Sequence, residues 1–137
     1  LEARERGVIF DIGHGVGSFG FETAETILNA GFLPDAISSD VHSLSIKGPA
    51  YDQLVTLSKF LHLGMSIRDI IAASTTRPAR AIRRPDLRTL SPGSIGDATI
   101  LSIEKGEFIF TDSLGHTRSG EKKFTLKGIV LDGEMWS

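Results

Sequence analysis

The stretch from residue 8 to residue 40 leaves this chain few ways to fold. Val8–Ile12 (VIFDI) is a short apolar run that suits a strand buried on both faces. A glycine-dense loop, Gly13 to Gly20, follows it. Phe21 to Ala30 then carries helical spacing, with Phe21, Ala24 and Leu28 on one side and Glu22 and Glu25 on the other. Gly31 is placed to end that helix, and Pro34 prevents its continuation. Ala36–Asp40 (AISSD) reads as a second short strand. Strand, helix, strand at this spacing is a βαβ unit, which implies two parallel strands joined by a right-handed crossover.

The pattern then changes twice. Tyr51–Leu61 predicts an amphipathic helix with Leu54, Leu57 and Leu61 on one stripe. Ser66 and Asp69 form an S-x-x-D capping box for a helix over Ile67–Ser74. Arg77-Pro78 is expected to break it, because the residue before proline avoids helical geometry, with Ala79–Ile82 restarting a short turn. Pro85 to Gly96 is rich in Pro, Gly and Ser and marks the internal boundary. Beyond it the period is two. Ala98–Ile103 and Glu107–Asp112 read as strands joined by a hairpin turn at Glu104-Lys105-Gly106. Leu114–Lys122 reads as a polar loop, and Phe124–Leu131 as a third strand whose phase slips at Gly128, predicting a bulge there. The fold class is α/β over residues 1–84, followed by antiparallel β over 85–137.

Composition excludes several classes. With 137 residues, 40% hydrophobic and 23% charged, the chain can bury a core. A net charge of −2 gives no electrostatic reason to expect nucleic acid or an acidic membrane as partner. Without cysteine there is neither a disulfide framework nor a thiolate metal site, which fits a cytoplasmic location. No apolar run approaches the ~18 residues of a membrane span. Leu1 is not an initiator methionine, and Leu1–Arg6 (LEARER) offers helix formers with nothing ahead of them to cap a helix. The natural chain is therefore expected to extend further back.

Two clusters could carry chemistry. Asp11-Ile12-Gly13-His14-Gly15 ends the first strand, and Ser38-Ser39-Asp40-Val41-His42 ends the second. Parallel α/β proteins place ligands at the C-terminal ends of strands, because the loops converge there. Carboxylates and histidines on two adjacent strand ends could hold a metal, activate water or orient a polar substrate. Asp40 and His42, two apart, would share a face if the strand persists. His14 sits between glycines that let backbone approach a ligand. The plain alternative is that Asp11 and Asp40 cap or form turns and that His14 bonds to backbone. His62 and His116 have no partner at ligand spacing, Trp136 reads as packing, and Lys122-Lys123 as a solvated pair. A rival reading uses Gly15-Val16-Gly17-Ser18-Phe19-Gly20, a formal G-x-G-x-x-G between strand and helix, with Asp40 as the ribose-binding acid of a dinucleotide (Rossmann-like) fold. Two successive helices after Asp40 and an antiparallel ending count against it.

Four segments in order resemble the amidohydrolase superfamily, in particular its dihydroorotase-like deacetylase branch. They are FDIGHGVGSF at 10–19, PDAISSDVH at 34–42, SIRDIIAASTTRPARAI at 66–82 and SPGSIGDATIL at 91–101. The resemblance implies that residues 1–84 are the last two βα units of a (β/α)8 TIM-type barrel, which needs about 250 residues in full. It implies that residues 85–137 are part of a small β-sandwich domain. It further implies a two-metal site, usually zinc, in which Asp40 is both a metal ligand and the catalytic acid–base. The H-x-H pair and the remaining ligands of that site have no counterpart in this sequence. Gly13, His14 and Gly15 would bind substrate, and His42 would support the site from behind. The implied function is metal-dependent hydrolysis of a C–N amide bond in a small-molecule substrate, by deacylation of a small N-acyl compound. A cyclic amidase of dihydroorotase type is the alternative. As a fragment the chain is expected to be inactive alone and to bind zinc weakly. It should self-associate through strand edges or pair with the missing N-terminal part of the same enzyme.

Overall fold

A computed structural model describes residues 2–136 of the chain. A helical turn, α1 (Glu2–Glu5), leads to strand β1 (Asp11–Gly13), helix α2 (Phe21–Asn29) and strand β2 (Ala36–Ser38). Three helices follow: α3 (Gln53–His62), α4 (Ile67–Ser74) and α5 (Thr76–Ala81). A 3-10 turn at Pro85–Arg88 precedes the long strands β3 (Ala98–Thr111) and β4 (Thr117–Leu131) and the short β5 (Glu134–Trp136).

The expected parallel pair is present. Asp11, Ile12 and Gly13 of β1 lie beside Ala36, Ile37 and Ser38 of β2. Both strands are shorter than the sequence suggests. Val8 and Ile9 are 44% and 54% exposed, so the predicted burial on both faces does not hold there. β2 stops at Ser38 because Asp40 takes φ 48°, outside extended geometry. α2 ends as predicted, with Gly31 at φ 75° donating its N–H to Leu28. The Leu1–Arg6 segment is helical over Glu2–Glu5, Leu1 lying outside the described residues. Arg4 ties it down through Asp35 at 3.0 Å and the face of Phe32 at 4.0 Å.

α3 corrects an expectation. Asp52 caps it by accepting from the Val55 N–H at 2.8 Å. Thr56 through Phe60 are all buried, so the helix has no solvent face along that turn. A ten-residue helix with one full charge, Lys59, is poorly suited to being amphipathic. Ser66 and Asp69 form the predicted box, the Asp69 N–H reaching Ser66 Oγ at 3.1 Å. The following break falls at Thr75 (φ −134°, ψ −81°), not at Arg77-Pro78. Pro78 sits in the first turn of α5, where a missing N–H costs nothing.

The C-terminal sheet runs β3-β4-β5, antiparallel throughout. No turn forms at Glu104-Lys105-Gly106; β3 passes straight through it. Gly106 and Glu107 bulge opposite Glu121, and the Phe108 ring occupies the space a Gly106 side chain would fill. Glu104 pairs across the strands with Lys123 at 3.7 Å, so this charge serves cross-strand pairing. Thr117–Lys122, expected as loop, is strand. The true turn is Asp112–His116, with Gly115 at φ 85°. The bulge predicted at Gly128 is present, since Ile100 faces Gly128 and Leu101 faces Leu126 with Lys127 left over. Trp136 is 64% exposed and does not pack in a core here.

One buried cluster crosses the 84/85 boundary. Phe19, Phe21, Ile37, Leu57, Phe60 and Ile70 from the α/β part meet Phe110 and Phe124 from the sheet. Ser58 Oγ on α3 accepts the Phe124 N–H at 2.9 Å, pinning β4 to the helix. A largely apolar groove of about 870 Å³ lies between α3, α4 and the sheet, lined by Leu54, Leu57, Ile71, Leu101, Leu126 and Ile129 among others. Among the described residues, no helix is long and apolar enough to cross a membrane.

Candidate active site

The turn after β1 and the turn after β2 meet at Asp40. A Cβ built on Gly13 would fall 2.6 Å from Asp40 Cβ, and one on Gly15 would fall 2.5 Å from Asp40 Oδ2. Gly15 also holds φ 48°. Only glycine at both positions lets the backbone back onto this carboxylate so closely. Asp40 is itself exposed. Among the described residues its carboxylate has one hydrogen-bond partner, Ser18 Oγ at 3.5 Å. Asp40 thus stands at the C-terminal end of a parallel strand pair with its oxygens largely available to a ligand.

The neighbouring candidates are placed differently. Asp11 is committed to β2, accepting from the Ser38 N–H at 3.1 Å and the Ser38 hydroxyl at 2.7 Å. His42 is exposed, and its Nδ1 accepts from the Leu44 N–H at 3.3 Å. Because β2 ends at Ser38, strand alternation does not carry Asp40 and His42 onto one face.

His14 is fully buried and stacked on Phe19, ring centroids 4.9 Å apart. Its Nδ1 lies 3.1 Å from the Gly15 carbonyl and its Nε2 lies 2.5 Å from Lys59 Nζ. A carbonyl only accepts and an ammonium only donates, so Nδ1 carries the proton and Nε2 is bare. Burial, and then the Lys59 charge, hold the His14 pKa below its ordinary value, which agrees with a neutral ring. Lys59 is also fully buried, and donates to the carbonyls of Pro49 at 2.9 Å and Thr111 at 2.6 Å. Burial pushes its pKa down to about 8, with Asp112 opposing. Asp112, 1% exposed, accepts from the N–H groups of Phe21 at 3.0 Å and of Leu114 and His116 at 2.9 Å each. Burial pushes this carboxyl up, but those backbone donors outweigh it and the net pKa lies below the usual range.

Sequence reasoning missed Lys59 and Asp112. Lys59 carried one signal, as the lone full charge in an otherwise uncharged helix, and Asp112 another, as the first residue of an Asp-Ser-Leu-Gly turn. Asp112 also bears on the dinucleotide reading: its carboxylate takes the first N–H of α2, where such a fold would seat a pyrophosphate.

A divalent metal fits this donor set in part. Asp40 offers exposed carboxylate oxygens, but among the described residues no group of three or more His, Asp or Glu gathers as a metal cluster. A stable site takes three or four ligands, so Asp40 fits as one ligand and the others would come from outside these residues.

No family model matches the chain. It is 35% identical over 136 residues to a deacetylase of Enterococcus faecalis, covering 98% of this chain and 37% of that protein. Among solved structures, an adenine deaminase superposes with a TM-score of 0.94 at 34% identity, covering 98% of this chain and 37% of that one. A dihydroorotase superposes at 0.89 with 33% identity, covering 98% and 35%. These likenesses, each over about a third of the relative's length, are consistent with a fragment of a longer protein of the amidohydrolase superfamily. It is similar to deacetylases in sequence and to an adenine deaminase and a dihydroorotase in structure, and it spans little more than a third of their length.

Proposed function

We propose that this chain is the C-terminal portion of a metal-dependent amidohydrolase that cleaves a C–N amide bond, by deacylation of a small N-acyl compound. Residues 1–84 are then the last two βα units of a (β/α)8 barrel, and residues 85–137 part of a small β-sandwich domain. The partner is the rest of the same enzyme, which supplies the remaining metal ligands and most of the substrate contacts. The observation that carries this reading is the Asp40 carboxylate, exposed at the end of a parallel strand pair and backed by two glycines that admit no side chain.

A bound divalent cation, zinc being the expected one, supplies a water acidified toward neutrality and a polarised carbonyl. Asp40 would be one ligand of that cation, and its carboxylate would accept the proton of the attacking water. The same group then delivers that proton to the departing nitrogen, so one carboxylate serves as base and acid. Gly13 and Gly15 fix where it stands. Cyclic amide hydrolysis of the dihydroorotase type uses the same groups and is the second reading, favoured by the structural likeness to a dihydroorotase.

In an enzyme containing this chain, Asp40→Asn should lower turnover of an N-acyl substrate by roughly a thousandfold, within the range a lost general acid–base commands. Circular dichroism should be unchanged. Turnover within a few-fold of wild type would remove Asp40 from the chemistry.

A further inference from the structure

We propose that Lys59 is a positioning residue for Asp40, acting through His14 and the Gly13–Gly15 turn. This rests on the reading of Asp40 as the reacting carboxylate. Five observations build the chain of contacts. The Lys59 ammonium is held from behind by the carbonyls of Pro49 and Thr111, which use two of its three protons. Its third proton goes to His14 Nε2. With Nε2 committed as an acceptor, the His14 proton resides on Nδ1, where it reaches the Gly15 carbonyl. The His14 backbone is fixed as well: its N–H meets the Ser39 carbonyl at 3.4 Å, and its carbonyl accepts from Ser18 Oγ at 2.6 Å. Gly15, one residue on, lies beside Asp40, where a Cβ on it would fall 2.5 Å from Oδ2.

A buried ammonium gives up its hydration, and even with all three protons accepted burial still weighs against the charged form here, as the lowered Lys59 pKa shows. A buried leucine or methionine would fill the same space without that cost. The charge therefore has a use that packing does not need, and the geometry points to selection of one histidine tautomer beside the candidate catalytic carboxylate. Thr111 ends β3, so the C-terminal sheet takes part: it anchors the group that sets the turn. Ser113 adds a second tie, its N–H donating to the Phe19 carbonyl at 2.9 Å and its hydroxyl accepting the Phe19 N–H at 3.2 Å.

The test needs no turnover, so its failure is separable from failure of the Asp40 assignment. Long-range proton–nitrogen correlation spectra of the isotope-labelled chain read the His14 tautomer, and carboxyl-carbon spectra read Asp40. Wild type should show Nδ1 protonated and Nε2 bare at neutral pH. Lys59→Met removes the donor to Nε2, leaving the Gly15 carbonyl alone to hold the proton on Nδ1. It should raise the fraction protonated at Nε2, moving the Asp40 carboxyl signal and the Gly15 amide signal. Lys59→Gln retains an amide donor for Nε2 and should restore most of the wild-type pattern. The Ile37 and Ile70 methyl signals report whether each variant keeps its core. If Lys59→Met does not fold, His14→Phe, which keeps the stacking on Phe19, replaces it and should move the same Asp40 and Gly15 signals. A folded variant with Asp40 and Gly15 unmoved overturns the proposal.

Discussion

Replacing Asp112 by alanine tests how far the C-terminal sheet holds the turn beside Asp40 in place. The carboxylate accepts three backbone N–H groups, and they are not equivalent. Phe21 is 0% exposed, so its N–H at the start of α2 would be left dry, at a cost of about 1–3 kcal/mol. Gly20, the residue before α2, has no side chain to take over as a cap. Leu114 is 72% exposed, and water can replace much of what it and His116 lose in the turn, limiting each to about 0.5–1 kcal/mol. The total is roughly 2–5 kcal/mol, and with a mid-range urea slope of about 2 kcal/mol per molar the midpoint should fall by about 1–2.5 M. Asp112→Asn keeps one oxygen for the Leu114 and His116 donors but turns an amide toward the Phe21 N–H, so its loss should be smaller. Because the folded-state pKa of Asp112 is depressed, its ionised contribution is full above the ordinary carboxylate range and fades as pH falls through the depressed value. The gap between wild type and Asp112→Ala should therefore narrow in acid. Urea titration followed by circular dichroism, at neutral and at strongly acidic pH, measures both. A midpoint within experimental scatter of wild type, or a gap that widens in acid, would refute the reasoning.

Lys59 should behave with the opposite sign. Its folded pKa of about 8 lies below the lysine value of 10.5, so the buried charge weighs against folding at neutral pH and that penalty lifts as pH rises from about 8 toward 10.5. Denaturant midpoints of wild type relative to Lys59→Met should rise across that window, and a flat difference would count against the burial account. Gly15→Ala places a methyl 2.5 Å from Asp40 Oδ2 at φ 48°, so it should cost about 1–2 kcal/mol in urea titration of this chain and displace Asp40. Phe60→Ala, at the centre of the shared core, should cost about 3–5 kcal/mol in the same titration and bring both parts of the chain down in one transition.

Local chemistry made much of the fold legible. The glycine stop at Gly31, the Ser66–Asp69 box and the Gly128 bulge each rest on residues within a few positions of one another, and the parallel strand pair rests on the order strand, helix, strand over residues 8–40. The errors share a cause. Glu104-Lys105-Gly106 has turn composition, and only the partner strand decides that Glu104 meets Lys123 and that Phe108 covers Gly106. Asp112-Ser113-Leu114-Gly115 was the better turn signal, with an Asp to accept backbone donors and a glycine for positive φ. At the candidate site, the sequence pattern placed Asp40 and the glycines on adjoining strand ends. It could not show Lys59, because burial of an ammonium depends on acceptors 45 residues away at His14 and 52 away at Thr111. No period or spacing rule reaches that far.

Asp40 is proposed above as a metal ligand in a longer amidohydrolase. Anomalous scattering at the zinc edge, from crystals of an enzyme containing this chain grown with zinc, tests it directly. A zinc ion is expected about 2.0–2.2 Å from an Asp40 carboxylate oxygen, on the side away from Gly13 and Gly15. Zinc bound elsewhere, with Asp40 turned from it, would contradict the claim.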